Sequence, residues 1–117
     1  MTKKSETLKA KDEIERLFKS GKRVKAKNIS LVYAPNELSR SRFLFCSDRS
    51  ARKANERNRI KRVLRALTAS NSEFVRGNMD IALIASYGFT ELSFEVRLKT
   101  LKNLFLKLES LIQFLSS

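Results

Sequence analysis

Histidine is absent, cysteine and proline occur once each, and glycine only three times in 117 residues. Each scarcity removes a class of chemistry. With no histidine and with Cys46 alone, the chain cannot assemble a zinc site of the usual ligand types, a Ser-His or Cys-His nucleophile pair, or an imidazole acid/base. A single cysteine also forbids an internal disulfide and fits a reducing compartment. Acids are the rare charge, 12 against 25 Lys and Arg. They stand singly apart from Asp12, Glu13 and Glu15, which fall at an expected helix start and complement its dipole. No apolar run approaches the length of a membrane span, and Met1 to Lys11 lacks a signal-peptide core, so a cytoplasmic location is expected. The chain shows no internal repeat, low-complexity tract or linker. Any part it takes in catalysis is expected to come through binding.

What the chain does hold is positive charge, +13 net with a sequence pI near 10.4. Its centre is residues 49–65, where Arg49, Arg52, Lys53, Arg57, Arg59, Lys61, Arg62 and Arg65 are opposed only by Glu56. Such density is unfavourable unless a polyanion neutralises it, and six of the eight cations are arginine, whose planar fork suits bidentate phosphate contacts. At about 100° per residue, Ile60, Val63, Leu64 and Leu67 share one core-facing arc. Lys61, Arg65, Asn58, Arg62 and Arg59 fan across the other side. A solvated surface face usually carries acids in i,i+4 register with its bases, and this one does not. A membrane-surface helix needs a bulkier, more aromatic apolar face. Nucleic acid is the expected partner. A basic charge excess continues at the N-terminus, where residues 3–27 hold ten Lys and Arg against four acids.

Length and a 42% hydrophobic content fit one domain, with residues 1–7 expected as a disordered basic N-terminus and 8–117 as a single nucleic-acid-binding domain. From about Asp12, Ile14, Leu17 and Phe18 recur at helical spacing to Ser20, and Gly21 follows as a helix-terminating residue. Ile29, Leu31 and Tyr33 alternate as in a half-buried strand; residues 22–27 can add a short strand before it. Pro35-Asn36 and the polar residues to Ser41 read as a hairpin connection into a strand from Phe43 to Cys46. The basic helix spans about Lys53 to Ala69, broken by Ser70-Asn71-Ser72. Met79 to Ser86 reads as a strand covered on both faces, ended by Gly88. Ser93 caps a last helix whose stripe of Leu101, Leu104, Phe105, Leu108, Leu111, Ile112 and Leu115 suits packing across the sheet or, less well, a coiled-coil partner.

The run Arg57-Asn58-Arg59-Ile60-Lys61-Arg62, followed by Arg65, resembles the signature helix of the protein subunit of bacterial ribonuclease P. Leu8 to Gly21, the strands from Ile29, Arg42 and Asp80, and the closing helix with Leu101 and Phe105 come in that family's order, over about residues 8–108. The resemblance implies an α+β fold: a single-domain α/β sandwich like domain 2 of ribosomal protein S5, in the order α-β-β-(β)-α-β-α with a left-handed crossover. It implies a non-catalytic subunit of a ribonucleoprotein endoribonuclease. With the catalytic RNA, such a subunit removes the 5′ leader from precursor tRNA, binding the leader and improving substrate and magnesium affinity. Magnesium is then used by the RNA, and the protein alone binds no cofactor. The implied partners are the catalytic RNA and precursor tRNA, with no membrane and no obligate protein partner.

By the same resemblance, Arg49, Arg52, Lys53, Arg57, Asn58, Arg59, Lys61, Arg62 and Arg65 contact the catalytic RNA. The leader cleft falls to Ile14, Phe18, Ser30, Val32, Leu44 and Cys46. This cleft departs from the family's common pattern. Ile14 stands where a phenylalanine is frequent, Val32 where tyrosine is, Leu44 and Cys46 where a Gly-x-Ser pair is, Arg52 where glycine is usual, and Asp48 precedes Arg49. Strand alternation assigns Ile29, Leu31, Phe43 and Phe45 to the core face and Ser30, Val32, Leu44 and Cys46 to the open one. Two other readings compete. A ribosomal-type structural RNA-binding protein shares the size and charge; a DNA-binding protein would read bases from a helix N-terminus, whereas these arginines run the helix's full length.

Overall fold

A computed structural model describes residues 6–38, 40–71 and 78–116, with Glu6 and 113–116 described by backbone alone. Among the described residues nine elements follow one another: β1 (Glu6–Thr7), α1 (Lys11–Ser20), β2 (Lys22–Ala26), β3 (Ile29–Pro35), β4 (Arg42–Ser47), α2 (Ala54–Ser70), β5 (Met79–Ala85), α3 (Tyr87–Thr90) and α4 (Phe94–Ser116). They build the expected α/β sandwich around a five-stranded sheet in the order β1-β4-β5-β3-β2.

The two faces of the sheet divide as strand alternation predicts. Leu31, Tyr33, Phe43, Ile81 and Leu83 pack one face against Ile60, Leu64 and Leu67 of α2, Phe89 of α3, and Leu101, Leu104, Phe105 and Leu108 of α4. On the other face Val32 and Ala82 are covered by Leu17 of α1 and by Leu8. The apolar run of β5, interrupted only by Asp80, suits its central place, since it is buried on both sides except at Ile84. The stripe on α4 is thus core through Leu108; the Leu115 side chain lies outside the described residues. Ser93 caps α4 as expected, its Oγ accepting from the Val96 N–H at 3.2 Å and its carbonyl from the Arg97 N–H at 3.0 Å.

Three expectations are corrected. The segment after Pro35 is not a hairpin, because β3 and β4 are not neighbours: β5 lies between them, antiparallel to β3 and parallel to β4. A strand apolar on both faces takes the centre and displaces the chain-adjacent pairing. The hairpin is instead β2–β3, closed through Lys27 and Asn28, with Asn28 in the left-handed region at φ 69° that asparagine tolerates. Second, Glu6 and Thr7 are not disordered but pair in parallel with Arg42 and Phe43; residues 1–5 and Ser72 lie outside the described residues. Third, Gly88 does not end a strand but sits within α3, a short helix that periodicity over four residues cannot reveal.

Gly21 ends α1 for a reason other than backbone freedom. Its φ of −71° and ψ of 157° are open to any residue. The constraint is space, because a Cβ there would lie 2.4 Å from the Leu17 carbonyl oxygen, 2.8 Å from Val32 Cγ1 and 3.0 Å from the Tyr33 carbonyl oxygen. This contact seats the end of α1 on β3. Gly21→Ala is therefore expected to destabilise the fold by about 1–3 kcal/mol in urea unfolding. Gly88→Ala, whose Cβ would meet nothing closer than 3.5 Å, should be neutral or slightly stabilising. Equal midpoints for the two variants would refute the steric account.

Candidate nucleic-acid interface

Helix α2 begins where the one acid of the basic run can act as a cap. The Glu56 carboxylate accepts from the backbone N–H groups of Arg52 at 3.0 Å and Lys53 at 3.2 Å, satisfying donors at the helix start. With Ile60 and Leu64 fully buried on one side, Arg52, Lys53, Arg57, Asn58, Arg59, Lys61, Arg62 and Arg65 are all exposed, and so is Arg49 in the preceding loop. That loop is fixed. Asp48 Oδ1 accepts from the Ser50 N–H at 2.8 Å and the Ser50 hydroxyl at 2.6 Å, and Ser50 Oγ accepts from the Tyr87 N–H at 2.9 Å. Two arginines are further positioned: Arg57 Nη1 donates to the Arg52 carbonyl at 2.8 Å, and the Arg65 guanidinium lies 5.5 Å from the centre of the Phe45 ring. Phe45 stacks parallel on Phe43 with centroids 6.1 Å apart, so Arg65 caps an aromatic column rooted in the core.

On the sheet face that carries α1, the strand register places side chains in rows. Val32, Ala82 and Leu44 form one row; Ser30, Ile84 and Cys46 form the next, nearer the loops. Helical spacing turns Ile14 and Phe18 to one side of α1, a turn apart. Ile14 packs on the apolar cluster and is half-buried, and Phe18 remains 39% exposed. Ser30, Leu44, Ile84 and Cys46 are half-buried, leaving an open apolar groove beside the helix. The beginning of the loop side is polar and braced: Ser86 N–H donates to the Asn28 carbonyl at 2.9 Å and Asp48 N–H to the Ala85 carbonyl at 2.9 Å.

Val32 does not line this groove. It is 1% exposed beneath α1 and the Gly21 contact, so of the expected strand residues the groove keeps Ser30, Leu44 and Cys46 and loses Val32. Ile84 takes its place, a residue that no alternation could single out within an apolar run. The groove and the basic helix meet at β4. Burial pushes the Cys46 thiol up from its ordinary pKa, and the nearby Lys61 ammonium of α2 opposes that shift. Phe45 and Cys46, adjacent in β4, thus face Arg65 on one side of the sheet and the groove on the other.

The far end of the same face is closed by an ion network invisible in the sequence, where Asp80 looks like an interruption of an apolar strand. Arg42 Nε and Nη2 donate to Asp80 at 2.9 and 2.8 Å, and Nη1 and Nη2 to Glu13 of α1 at 2.9 and 3.3 Å. Asn36 Nδ2 donates to Asp80 at 2.8 Å. The two carboxylates raise the Arg42 pKa beyond its already high value. A cavity of about 430 Å³ opens here, on the side of α1 away from the groove. Among the described residues no cluster of His, Cys, Asp or Glu is arranged to hold a metal ion, and no helix is long and apolar enough to cross a membrane. Asp80→Ala leaves the largely buried Arg42 guanidinium with only the partly exposed Glu13 and should cost about 2–3 kcal/mol in urea unfolding. Glu13→Gln, at a carboxylate 33% exposed, should cost less than about 1 kcal/mol. Equal losses would show that Arg42 does not depend mainly on Asp80.

Comparison with known proteins fits this architecture. A family model described as Ribonuclease P matches residues 2–109. The chain is 33% identical over 112 residues to the ribonuclease P protein component of Borreliella burgdorferi, covering 93% of this chain and 94% of that protein. It is 34% identical over 95 residues to that of Syntrophomonas wolfei, covering 81% and 80%. In fold it is similar to the solved RNase P protein from Thermotoga maritima, with TM-score 0.76 at 24% identity over 87% of this chain and 96% of that one. The Staphylococcus aureus RNase P protein superposes with TM-score 0.74 at 21% identity, over 91% and 96%. Matched over nearly its whole length, the chain belongs to the ribonuclease P protein component family.

Proposed function

We propose that this chain is the non-catalytic subunit that binds the catalytic RNA through α2 and the 5′ leader of precursor tRNA through the groove beside α1. The observation that carries this reading is the meeting of the two surfaces at Phe45 and Cys46, where a polycationic helix borders an open apolar groove. Exposed arginines along the full length of α2 suit the backbone phosphates of a folded RNA. The groove, apolar with one exposed aromatic wall at Phe18, suits unpaired bases held by stacking and cover, without reading their edges.

Such a division has a kinetic consequence. The leader is present in the substrate and absent from the mature product, so leader contacts favour precursor binding without slowing release of mature tRNA. Hydrolysis itself, with magnesium, belongs in this reading to the RNA, while the protein orients and retains the substrate. A cytoplasmic location accords with that role.

Two experiments test the assignment. Arg59→Ala/Arg62→Ala, both on the exposed side of α2, should leave unfolding unchanged. They should flatten the dependence of log K on log salt for the catalytic RNA by about 1.4–1.8, the effect of two phosphate contacts. A folded double variant with the parent slope removes both residues from the interface. In the reconstituted ribonucleoprotein, Phe18→Ala should weaken precursor binding several-fold, as loss of roughly 1 kcal/mol of stacking predicts, and leave mature tRNA binding unaltered. Cleavage of precursor tRNA by the protein without RNA, or equal losses for precursor and mature forms, would reject this division of roles.

A further inference from the structure

The groove does not end at β3. Its floor row continues across the sheet by register: Cys46 on β4 pairs with Ile84, Ile84 with Ser30, and Ser30 with Lys25 on β2. The neighbouring row ends in the same way, with Arg23 opposite Val32. Directly paired residues project from the same side of a sheet, so Arg23 and Lys25 stand on the groove face, while Val24 between them points into the opposite core. Both are exposed, as is Lys27 in the β2–β3 turn, and none of the three forms an ion pair among the described residues.

This basic edge is separate from α2. It occupies the outer strand at the opposite end of the sheet order from β4, three interstrand steps or roughly 14 Å away. Helix α1 spans the same interval, tied to β4 through Glu13 and Arg42 and seated on β3 at Gly21. Its groove-facing side therefore carries Ile14 toward β4 and Phe18 toward β2. The outcome is an apolar floor that runs from β4, bordered across that strand by the basic helix α2, to Lys25 and Arg23 beyond Ser30. An anionic strand lying along it can place its bases over Ile84 and beside Phe18, with phosphates reaching Lys25 and Arg23 at the β2 end. At about 3.4 Å per stacked nucleotide the span between the ends holds about four.

We infer that Arg23 and Lys25, with Lys27, form a second phosphate-binding site on the outer edge of the sheet, which takes the distal part of a single-stranded leader after it has crossed the groove from the α2 side. This rests on the leader reading of the groove and adds an exit to it. The ligand chemistry is a single-stranded ribose phosphate backbone, held by point charges without base selection.

A leader-length series tests the two readings separately. Precursor tRNAs with leaders from about two to twelve nucleotides are titrated against the reconstituted ribonucleoprotein, with mature tRNA as the reference. Affinity should rise in two steps, the first as the leader fills the groove and the second as it reaches β2. Arg23→Ala/Lys25→Ala should abolish only the second step, a loss of roughly tenfold at 0.15 M salt, and lower the salt slope of the longest precursor by about 1.4. Affinity for the catalytic RNA, mature tRNA and the shortest precursors should be unchanged. Arg23→Lys/Lys25→Arg should restore the second step, because point charges suffice. The edge assignment is overturned if the alanine variant keeps both steps, if it weakens all substrates alike, or if the parent shows only one. Phe18→Ala reads the first step independently: its loss with the second step intact in the parent protein supports the groove, and its persistence rejects the groove whatever the β2 variant does.

Discussion

Most of the architecture depends on one constraint, the burial of β5 on both faces. A strand with no solvated side must lie inside the sheet, and here it separates β3 from β4 and runs parallel to β4. Parallel neighbours cannot be joined by a tight turn and need a crossover. Helix α2 is that crossover, so the most basic segment of the chain is laid alongside β4 by topology. The same insertion leaves the opposite sheet face to a single ten-residue helix, α1, too short to cover it. The uncovered remainder is the groove, and both candidate surfaces therefore follow from the placement of one strand.

The charge on α2 opposes the fold less than its density suggests. Like-charged neighbours at i,i+4 each cost a few tenths of a kcal/mol when exposed. Burying Ile60, Leu64 and Leu67 each contributes about 1.5–3 kcal/mol, so packing exceeds repulsion several times over. The arrangement of the other groups lowers the repulsion further: Glu56 sits in the first turn, where its charge meets the helix dipole, and Arg65 spreads its own over the Phe45 ring. An RNA partner then lowers the energy of a surface already held in place.

The sequence disclosed what periodicity can carry. The basic helix, its two faces, the doubly buried strand and the division of residues 29–33 and 43–46 between sheet faces were all legible, because each rests on spacing within one element. What remained hidden depends on pairing between elements. The β5 insertion, the β2–β3 hairpin and the Arg42–Asp80–Glu13 network join residues up to 67 positions apart, and nothing local to Asp80 marks it as the partner of an arginine on the next strand. The displacement of Val32 from the groove has the same origin. Alternation gave its face correctly, but which row α1 covers is decided by the Gly21 contact with β3.

The two ends of the α1 face are built for opposite purposes, and their chemistry shows why. At the Arg42 end the guanidinium is held within the protein: four of its contacts lie on two carboxylates, one of them also held by Asn36. Through Glu13 this network ties the start of α1 to β4. At the loop end the floor offers Ile84, Ser30 and the Cys46 thiol, with cations at the edge that form no ion pair among the described residues. Nothing there demands a particular hydrogen-bonding pattern, so a surface of this kind favours length and charge in a strand over its sequence. Under the proposed function, that preference suits a leader whose sequence changes from one precursor to the next. The Arg42 network anchors α1 at one end, and that anchor positions the wall that Phe18 gives the open end.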